Sequence, residues 1–305
     1  MLTSDDLAFF GVLAGSSSLA ESARKLNVTP PAVTQRLRAL EARLGVRLVD
    51  RSARQLSLTD EGALVAAHGL AVSDALESLA EALAERKGTV SGHLRIAAPH
   101  GFGRVHVAPV VGAFARLHSR VTVALELSDY PAARLIETCD VVIHIGPPGP
   151  PSQIVTTLAP NRRILCASPA YLDAAPPIQA PADLALRRCL VVRENDEDVT
   201  LWRFQRPRHE PATVRIHPAM SSNDGAVVRD WALDGLGVTI RSEWDVAGDL
   251  ASGRLRQVLP DWEAPAADVV AMLGARHGRT TRTTAFLALL RQSLTPAPWR
   301  AGVAA

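Results

Sequence analysis

Lysine is nearly missing from this sequence, and so is every short motif that would mark an enzyme. Only Lys25 and Lys87 occur in 305 residues, so arginine carries almost all the positive charge. A formal net charge of +2 excludes a general nucleic-acid coat protein, so any contact with DNA must rest on a local patch. Cysteine is scarce as well. Cys139, Cys166 and Cys189 are odd in number, far apart and without metal-ligand spacing, which argues against both a disulfide framework and a zinc site. Each lies in an apolar, strand-like context and is expected to be a buried thiol. No stretch reaches the roughly 18 apolar residues that span a bilayer. The opening MLTSDDLAFF carries neither a basic leader nor an apolar core, so a cytoplasmic protein without a membrane partner is expected. The patterns G-x-S-x-G, G-x-x-x-x-G-K and H-E-x-x-H are all absent, and His106 and His118 are isolated. The reading is no catalytic residue, no metal and no cofactor. What remains is a folded chain, 47% hydrophobic and 21% charged, long enough for two or three domains.

The positive charge gathers in one place. Residues 24–54 hold Arg24, Lys25, Arg36, Arg38, Arg43, Arg47, Arg51 and Arg54 against Glu41 and Asp50. The stretch from about residue 18 to 59 reads as two short helices joined by a tight turn and followed by a basic loop. Ser18 can cap the first helix, and Glu21 completes a capping box. Asn27-Val28 supplies the turn. Thr29 can cap the second helix, with Pro30 at its first position, where a missing N–H costs nothing. Val33, Leu37, Leu40 and Leu44 then form one apolar stripe, with Thr34, Gln35 and Arg38 facing away from it and Pro31 nearby. That polar face suits the DNA major groove, since Gln pairs with adenine, Arg with guanine, and a Thr methyl touches thymine. Arg47, Arg51 and Arg54 would sit on the hairpin of a winged helix-turn-helix, against phosphates or in the minor groove. An ordinary amphipathic helix pair fits the periodicity equally well, so spacing alone leaves the choice open.

The order of residues decides it. Phe9-Phe10, Gly15-Ser16, Ser18-Leu19-Ala20, Ala23, Leu26, Ala32-Val33, Leu37, Leu40-Glu41, Leu44-Gly45, Leu48, Arg51, Leu58-Thr59 and Gly62 together resemble the DNA-binding domain of LysR-type transcriptional regulators. Glu21-Ser22, Val49, Thr34 and Pro30 depart from the usual pattern. The resemblance implies double-stranded operator DNA as a partner, with Thr29, Pro30, Pro31, Thr34, Gln35, Arg38, Arg51 and Arg54 at the contact.

A long helix is expected after Thr59, its cap, ending at Lys87-Gly88. Val65, Val72, Leu76, Leu79 and Leu83 fit a heptad seam, with Gly62 and Gly69 at its small positions. So narrow a seam on so long a helix calls for a second copy, and the resemblance makes this the linker that pairs two subunits. Homotetramers, as dimers of dimers, follow from the resemblance alone.

From residue 91 strands and helices alternate, the grammar of a parallel sheet. The stretch reads as two α/β lobes joined by two crossovers. Gly92-His93-Leu94-Arg95-Ile96, the strand from Asp140 to Gly146, Ala167-Ser168-Pro169-Ala170-Tyr171-Leu172, Gly235-Leu236-Gly237 and Gly253-Arg254-Leu255 resemble the effector domain of the same family, itself similar to periplasmic solute-binding proteins. The expected fold is therefore α/β overall: an N-terminal all-α winged helix-turn-helix (1–59), a linker helix (60–88) and a two-lobed effector domain (91–295). Its first lobe spans about 91–163 and 268–295, its second about 164–267, and residues 296–305 form a loose tail.

Ligands in open α/β sheets lodge beyond the carboxyl ends of the strands. Those ends carry His100, Gly101, Phe102, Ser128, His144, Arg193, Ser222 and Asn223, the candidate ligand residues. Phe102 or Trp202 could wall the site. A cationic rim and a helix N-terminus favour a small carboxylate effector. The function expected is a ligand-responsive DNA-binding regulator. An architectural DNA-binding protein would ignore every ligand, and an enzyme would consume one.

Overall fold

Thr3 and Asp6 start the first helix by reciprocal hydrogen bonds. The Asp6 amide donates to the Thr3 hydroxyl at 3.2 Å, and the Thr3 amide donates to the Asp6 carboxylate at 3.0 Å. The computed structural model describes residues 2–50, 56–85, 90–128, 135–136, 138–147, 154–193, 198–273 and 280–300. Helix α1 (Ser4–Ala14) buries Phe9, Phe10 and Leu13. Helix α2 (Leu19–Leu26) ends at Asn27, whose φ of 54° places it in the left-handed region that Asn tolerates. Helix α3 (Pro30–Leu44) buries Val33, Leu37 and Leu40 as their spacing predicts. Strands β1 (Val49–Asp50) and β2 (Ser57–Leu58) pair antiparallel as a hairpin, Val49 opposite Leu58.

Two caps differ from expectation. Ser18 accepts from the Glu21 amide at 3.2 Å, but the Glu21 carboxylate takes the amide and hydroxyl of Ser17, one residue before the cap. The Thr29 side chain caps nothing, because Pro30 and Pro31 remove the first two donors.

Thr59 does cap helix α4 (Asp60–Glu85), accepting from the Gly62 amide at 3.0 Å. A Cβ on Gly62 would stand 2.0 Å from the Leu48 carbonyl oxygen, and one on Gly69 would touch Leu7. Val65 and Ala66 pack on the same cluster as Phe10 and Leu40. Gly62, Val65 and Gly69 thus serve their own unit rather than an outward seam, since α1 and the hairpin cover the helix at that level. Val72, Leu76 and Leu79 stay exposed, by 42%, 51% and 59%. The Leu83 side chain and the helix end at Lys87-Gly88 lie outside what is described. Helix α4 belongs to the unit Met1–Thr89.

The unit Val90–Ala305 is built on two five-stranded sheets. Strand β3 (Gly92–Ala98) leads through α5 (His100–Phe102), a π-helical turn (Gly103–Val107) and α6 (Ala108–Leu117) to β4 (Val121–Leu127), then β5 (Val141–Ile145) and β6 (Ile154–Ala159). The chain crosses to β7 (Arg163–Ala167), α7 (Pro169–Asp173), β8 (Cys189–Val192), the hairpin β9 (Leu201–Phe204) and β10 (Ala212–Arg215), and β11 (Pro218–Ser222). Helix α8 (Gly225–Leu233), β12 (Val238–Ser242), α9 (Glu243–Ala251) and β13 (Arg256–Gln257) complete that lobe, and β14 (Val269–Leu273) and α10 (Thr281–Ser293) return to the first. The orders are β4-β3-β5-β14-β6 and β11-β8-β12-β7-β13.

The α/β architecture is as expected, but the sheets are mixed rather than parallel. Strand β14 runs antiparallel to β5 and β6, and β12 antiparallel to β7. A strand that enters by a crossover arrives from the other lobe and so runs against the local parallel set. The tail is not loose as far as Arg300: Ala297 and Trp299 are each 7% exposed and lie in the first lobe's core. Pro296 and Pro298 stop a helix there without freeing the chain, because the indole has an apolar cluster to enter. All three cysteines are buried and unpaired, and burial pushes the Cys166 and Cys189 thiols up to about 12.

Candidate DNA-binding face and ligand cleft

Helix α3 separates its arginines by partner. Arg36 pairs with Asp5 and lies 4.5 Å from the Phe9 ring centre, and Arg43 meets Asp6 at 2.7 Å. These two tie α3 to α1. Arg38 is exposed and has no ion pair among the described residues, as do Arg24 and Arg47. Thr29, Pro30, Pro31 and Gln35 are exposed beside Arg38, while Thr34 is half-buried and its hydroxyl donates to the Pro30 carbonyl at 3.1 Å. The buried Glu41 carboxylate accepts from the amides of Leu48 and Val49, at 3.0 and 3.4 Å, and so fixes the entry to the hairpin. Arg51 and Arg54 lie outside the described residues.

Asp6 is the hinge pin of this arrangement. The Arg43 guanidinium, helped by the Thr3 hydroxyl and amide, holds its carboxyl down from 3.8 to about 2. A depressed carboxyl contributes stability that is present above its unfolded value and lost as pH falls through the folded one. Asp6→Asn is therefore expected to lower stability at pH 7 by about 1 kcal/mol or somewhat more. In urea melts the gap to wild type should narrow as pH drops from 3.8 toward about 2. A gap independent of pH would show that the Asp6 charge does not matter.

In the second unit a cavity of about 390 Å³ opens between the lobes. It lies beyond the carboxyl ends of β3, β5, β8 and β12, where Pro99, Ile145, Val192 and Ile240 reach it. The first lobe offers an apolar wall of Phe102 and Ile145 with His100 at its edge, and the charge comes from the second. Among the described residues, Arg163, Arg203 and Arg241 line the cavity together with one carboxylate, Asp198. Arg241 is 8% exposed and clamped, with Nε and Nη2 donating to Asp245 at 2.9 and 2.7 Å. A Cβ on Gly225 would stand 2.1 Å from Arg241 Nη2, so glycine is what lets the guanidinium tuck beneath the start of α8. Arg163 has no ion pair among the described residues. Arg241 opposes Ile164 and Arg163 opposes Ser242, so the two arginines leave opposite faces of the sheet and both reach the cavity at its end.

Of the eight ligand residues expected from sequence, His100, Gly101, Phe102 and Asn223 line the cavity and the other four do not. His144 sits one residue out of phase with Ile145; its Nε2 lies 3.2 Å from the Pro147 carbonyl oxygen. Arg193 lies just beyond Val192, its amide donating to the Ser222 carbonyl at 2.8 Å. Ser128 follows β4, the edge strand, away from the sheet's middle. The Ser222 hydroxyl oxygen accepts from the Asp224 amide at 3.1 Å. Helix α8 begins at Gly225 and is capped by Asp224, whose carboxylate accepts from the Ala226 amide at 2.8 Å. That helix start therefore carries its own anion, with the Asp224 and Ala226 amides already engaged. Arg163, Arg203 and Arg241 escaped the sequence reading; the apolar strand VTI running into Arg241, with Asp245 four residues on, was the available signal for the last.

A winged helix-turn-helix joined in one chain to a two-lobed domain with a cavity at its strand ends defines a ligand-responsive transcriptional regulator. Residues 4–63 match the bacterial regulatory helix-turn-helix protein, lysR family, and residues 87–295 match the LysR substrate binding domain. The chain belongs to the LysR family of transcriptional regulators, whose members are not enzymes. It is 33% identical over 288 residues to the HTH-type transcriptional regulator DmlR of Escherichia coli strain K12, covering 94% of this chain and 93% of that one. It is 35% identical over 257 residues to the HTH-type transcriptional activator TtdR of the same strain, covering 84% and 83%. The full-length structure of the Vibrio cholerae virulence activator AphB is similar at a TM-score of 0.61 and 26% identity, covering 95% of this chain and 98% of that one. Regulators of this family bind DNA and small-molecule effectors and oligomerise.

Proposed function

We propose that residues 1–59 read operator DNA through α3 and the hairpin, that 60–88 pair two copies, and that 91–295 close on a small carboxylate in the cytoplasm. Arg163, Arg203 and Arg241, the last already paired with Asp245, stand with Asp198 among the described residues around a 390 Å³ cavity and support that chemistry, Arg163 foremost because no described acid holds it. A cavity this size takes a metabolite-scale acid. Closure of the lobes on the acid shifts the balance between two assembly geometries and so the spacing of the DNA-binding pairs. Dimers of dimers suit that mechanism.

A thermal-shift screen of organic acids tests the effector reading. Hits confined to neutral or cationic compounds would sink it. An architectural protein would respond to nothing in the screen, and an enzyme would deplete its hit.

For DNA the informative variant is Arg38→Ala, because Arg38 is the exposed α3 arginine in the polar face that no acid among the described residues holds. A base contact predicts a loss of about 1–3 kcal/mol, largest on the matched operator. A phosphate contact would weaken all sequences alike and flatten the salt dependence. Unchanged binding to both operator and random DNA would show that this face of α3 points elsewhere.

A further inference from the structure

Glu243 opens α9 with both carboxylate oxygens engaged. Oε1 accepts from Arg162 Nε at 3.2 Å, on the crossover between the lobes. Oε2 accepts from Nε and Nη2 of Arg300 at 3.0 and 2.6 Å. Glu243 belongs to the second lobe, whereas the segment 295–300 is seated in the first by Ala297 and Trp299. The end of the described chain therefore bridges the two lobes.

The same segment completes a box of rings. Trp299 lies 5.3 Å from His106 and 6.2 Å from Phe102, centre to centre. Trp244, from the second lobe, lies 5.4 Å from Phe102 and 5.9 Å from His106. Phe102 and Trp244 also line the ligand cavity, so the box is the back of the cleft wall. The crossovers are tied together beside it. The Asn161 amide donates to the Asp268 carboxylate at 3.1 Å, its Nδ2 donates to the Ala267 carbonyl at 2.7 Å, and its Oδ1 accepts from the Trp244 amide at 3.3 Å.

One feature of the box is unsettled. His106 Nε2, Trp244 Nε1 and Trp299 Nε1 are buried without a hydrogen-bond partner among the described residues. Buried polar groups left unpaired cost free energy and mark a place where a second arrangement has something to gain. A ring box that spans both lobes, abuts the hinge and holds three such nitrogens is suited to adopting more than one lobe angle.

We propose that residues 295–300 are an interlobe strap: Arg300 on Glu243 and Trp299 in the ring box hold the lobes at one angle and position Phe102 and Trp244 in the cleft wall. The strap does not depend on the effector's chemistry. It acts on the hinge, and it makes the C-terminal residues a determinant of how readily the cleft opens.

Native-state hydrogen exchange on the full-length protein without ligand tests this. The reporting amides are Glu243, which donates to the Arg162 carbonyl at 2.8 Å, Trp244, and Gly146, which donates to the Asp268 carbonyl at 3.1 Å. Arg300→Ala is expected to speed their exchange by about tenfold, the scale of one charge-assisted bond, while the centres of β3 and β8 keep wild-type rates. Arg300→Lys, which keeps a charge on Glu243, should recover part of the protection, and Arg300→Glu should lose more than Ala. Hinge amides unchanged in Arg300→Ala would overturn the strap. So would uniform acceleration across the domain, which would reduce the tail to plain core packing, or equal effects of Lys, Ala and Glu.

Discussion

Leu76→Glu combined with Leu79→Glu is expected to turn the protein into monomers and to lower its affinity for operator DNA by about 10²–10⁴-fold, the scale of a lost second attachment. The two leucines stand 51% and 59% exposed on α4, next to Val72 at 42%. Among the described residues no side chain of their own unit covers them, unlike Val65, which the DNA-binding cluster takes in. A contiguous apolar stripe left open on a helix is the mark of a contact surface. Pairing two copies there buries it, and a carboxylate brought into that contact loses its hydration without gaining a partner. Sedimentation velocity reads the assembly, and the salt dependence of DNA binding should flatten in parallel because one half-site neutralises fewer phosphates. A double mutant that sediments like wild type would place the pairing surface elsewhere.

Arg163→Ala is expected to weaken binding of the stabilising acid by about 10–100-fold, which corresponds to roughly 1.5–3 kcal/mol for a hydrogen bond to a charged group. Arg163 is the cleaner test of the cleft than Arg241, although Arg241 is the more deeply set. Removing Arg241 strands the Asp245 carboxylate, whose side chain is 9% exposed. An unpaired buried charge destabilises the fold by itself, so lost ligand binding would then have two causes. Arg163 holds no acid among the described residues, and its truncation should leave the melting temperature without ligand near that of wild type. Calorimetric titration with the acid found by thermal shift gives the answer. Equal affinity in wild type and Arg163→Ala would move the carboxylate away from this edge of the sheet.

The DNA-binding half was legible because its signals are local. A cap, a 3.6-residue stripe and a proline at a helix start all lie within one stretch, and Val33, Leu37 and Leu40 are buried where that stripe puts them. The cleft was legible in outline only. Strand ends located it, but a two-residue period decides which side chain enters, and a reading one residue out selects the wrong face. His144 instead of Ile145 is that error, and Arg193 instead of Val192 is its neighbour at a strand end. Arg163 and Arg241 could not be paired from sequence, because an antiparallel register between strands far apart in the chain brings them to one sheet end. Gly62 read as a seam position because helical spacing says which residues share a face, not which neighbour covers it. The tail read as loose because its prolines were visible and the pocket for Trp299 was not.

The closeness of Leu48 to Gly62 has a consequence for how a signal can leave the protein. Thr59 accepts from the Gly62 amide, donates its hydroxyl to the Arg47 carbonyl at 2.7 Å, and gives its own amide to the Leu48 carbonyl at 3.1 Å. With Gly69 seated on Leu7, the hairpin, α1 and α4 are joined at several points along the first turns of the long helix. Contacts at that many points favour α1, the hairpin and the start of α4 turning as one body. A torque applied to α4 would then be passed to α3 and the hairpin, which makes this unit the expected fixed jaw of a calliper. Its setting is altered by moving the arm, never by bending the jaw.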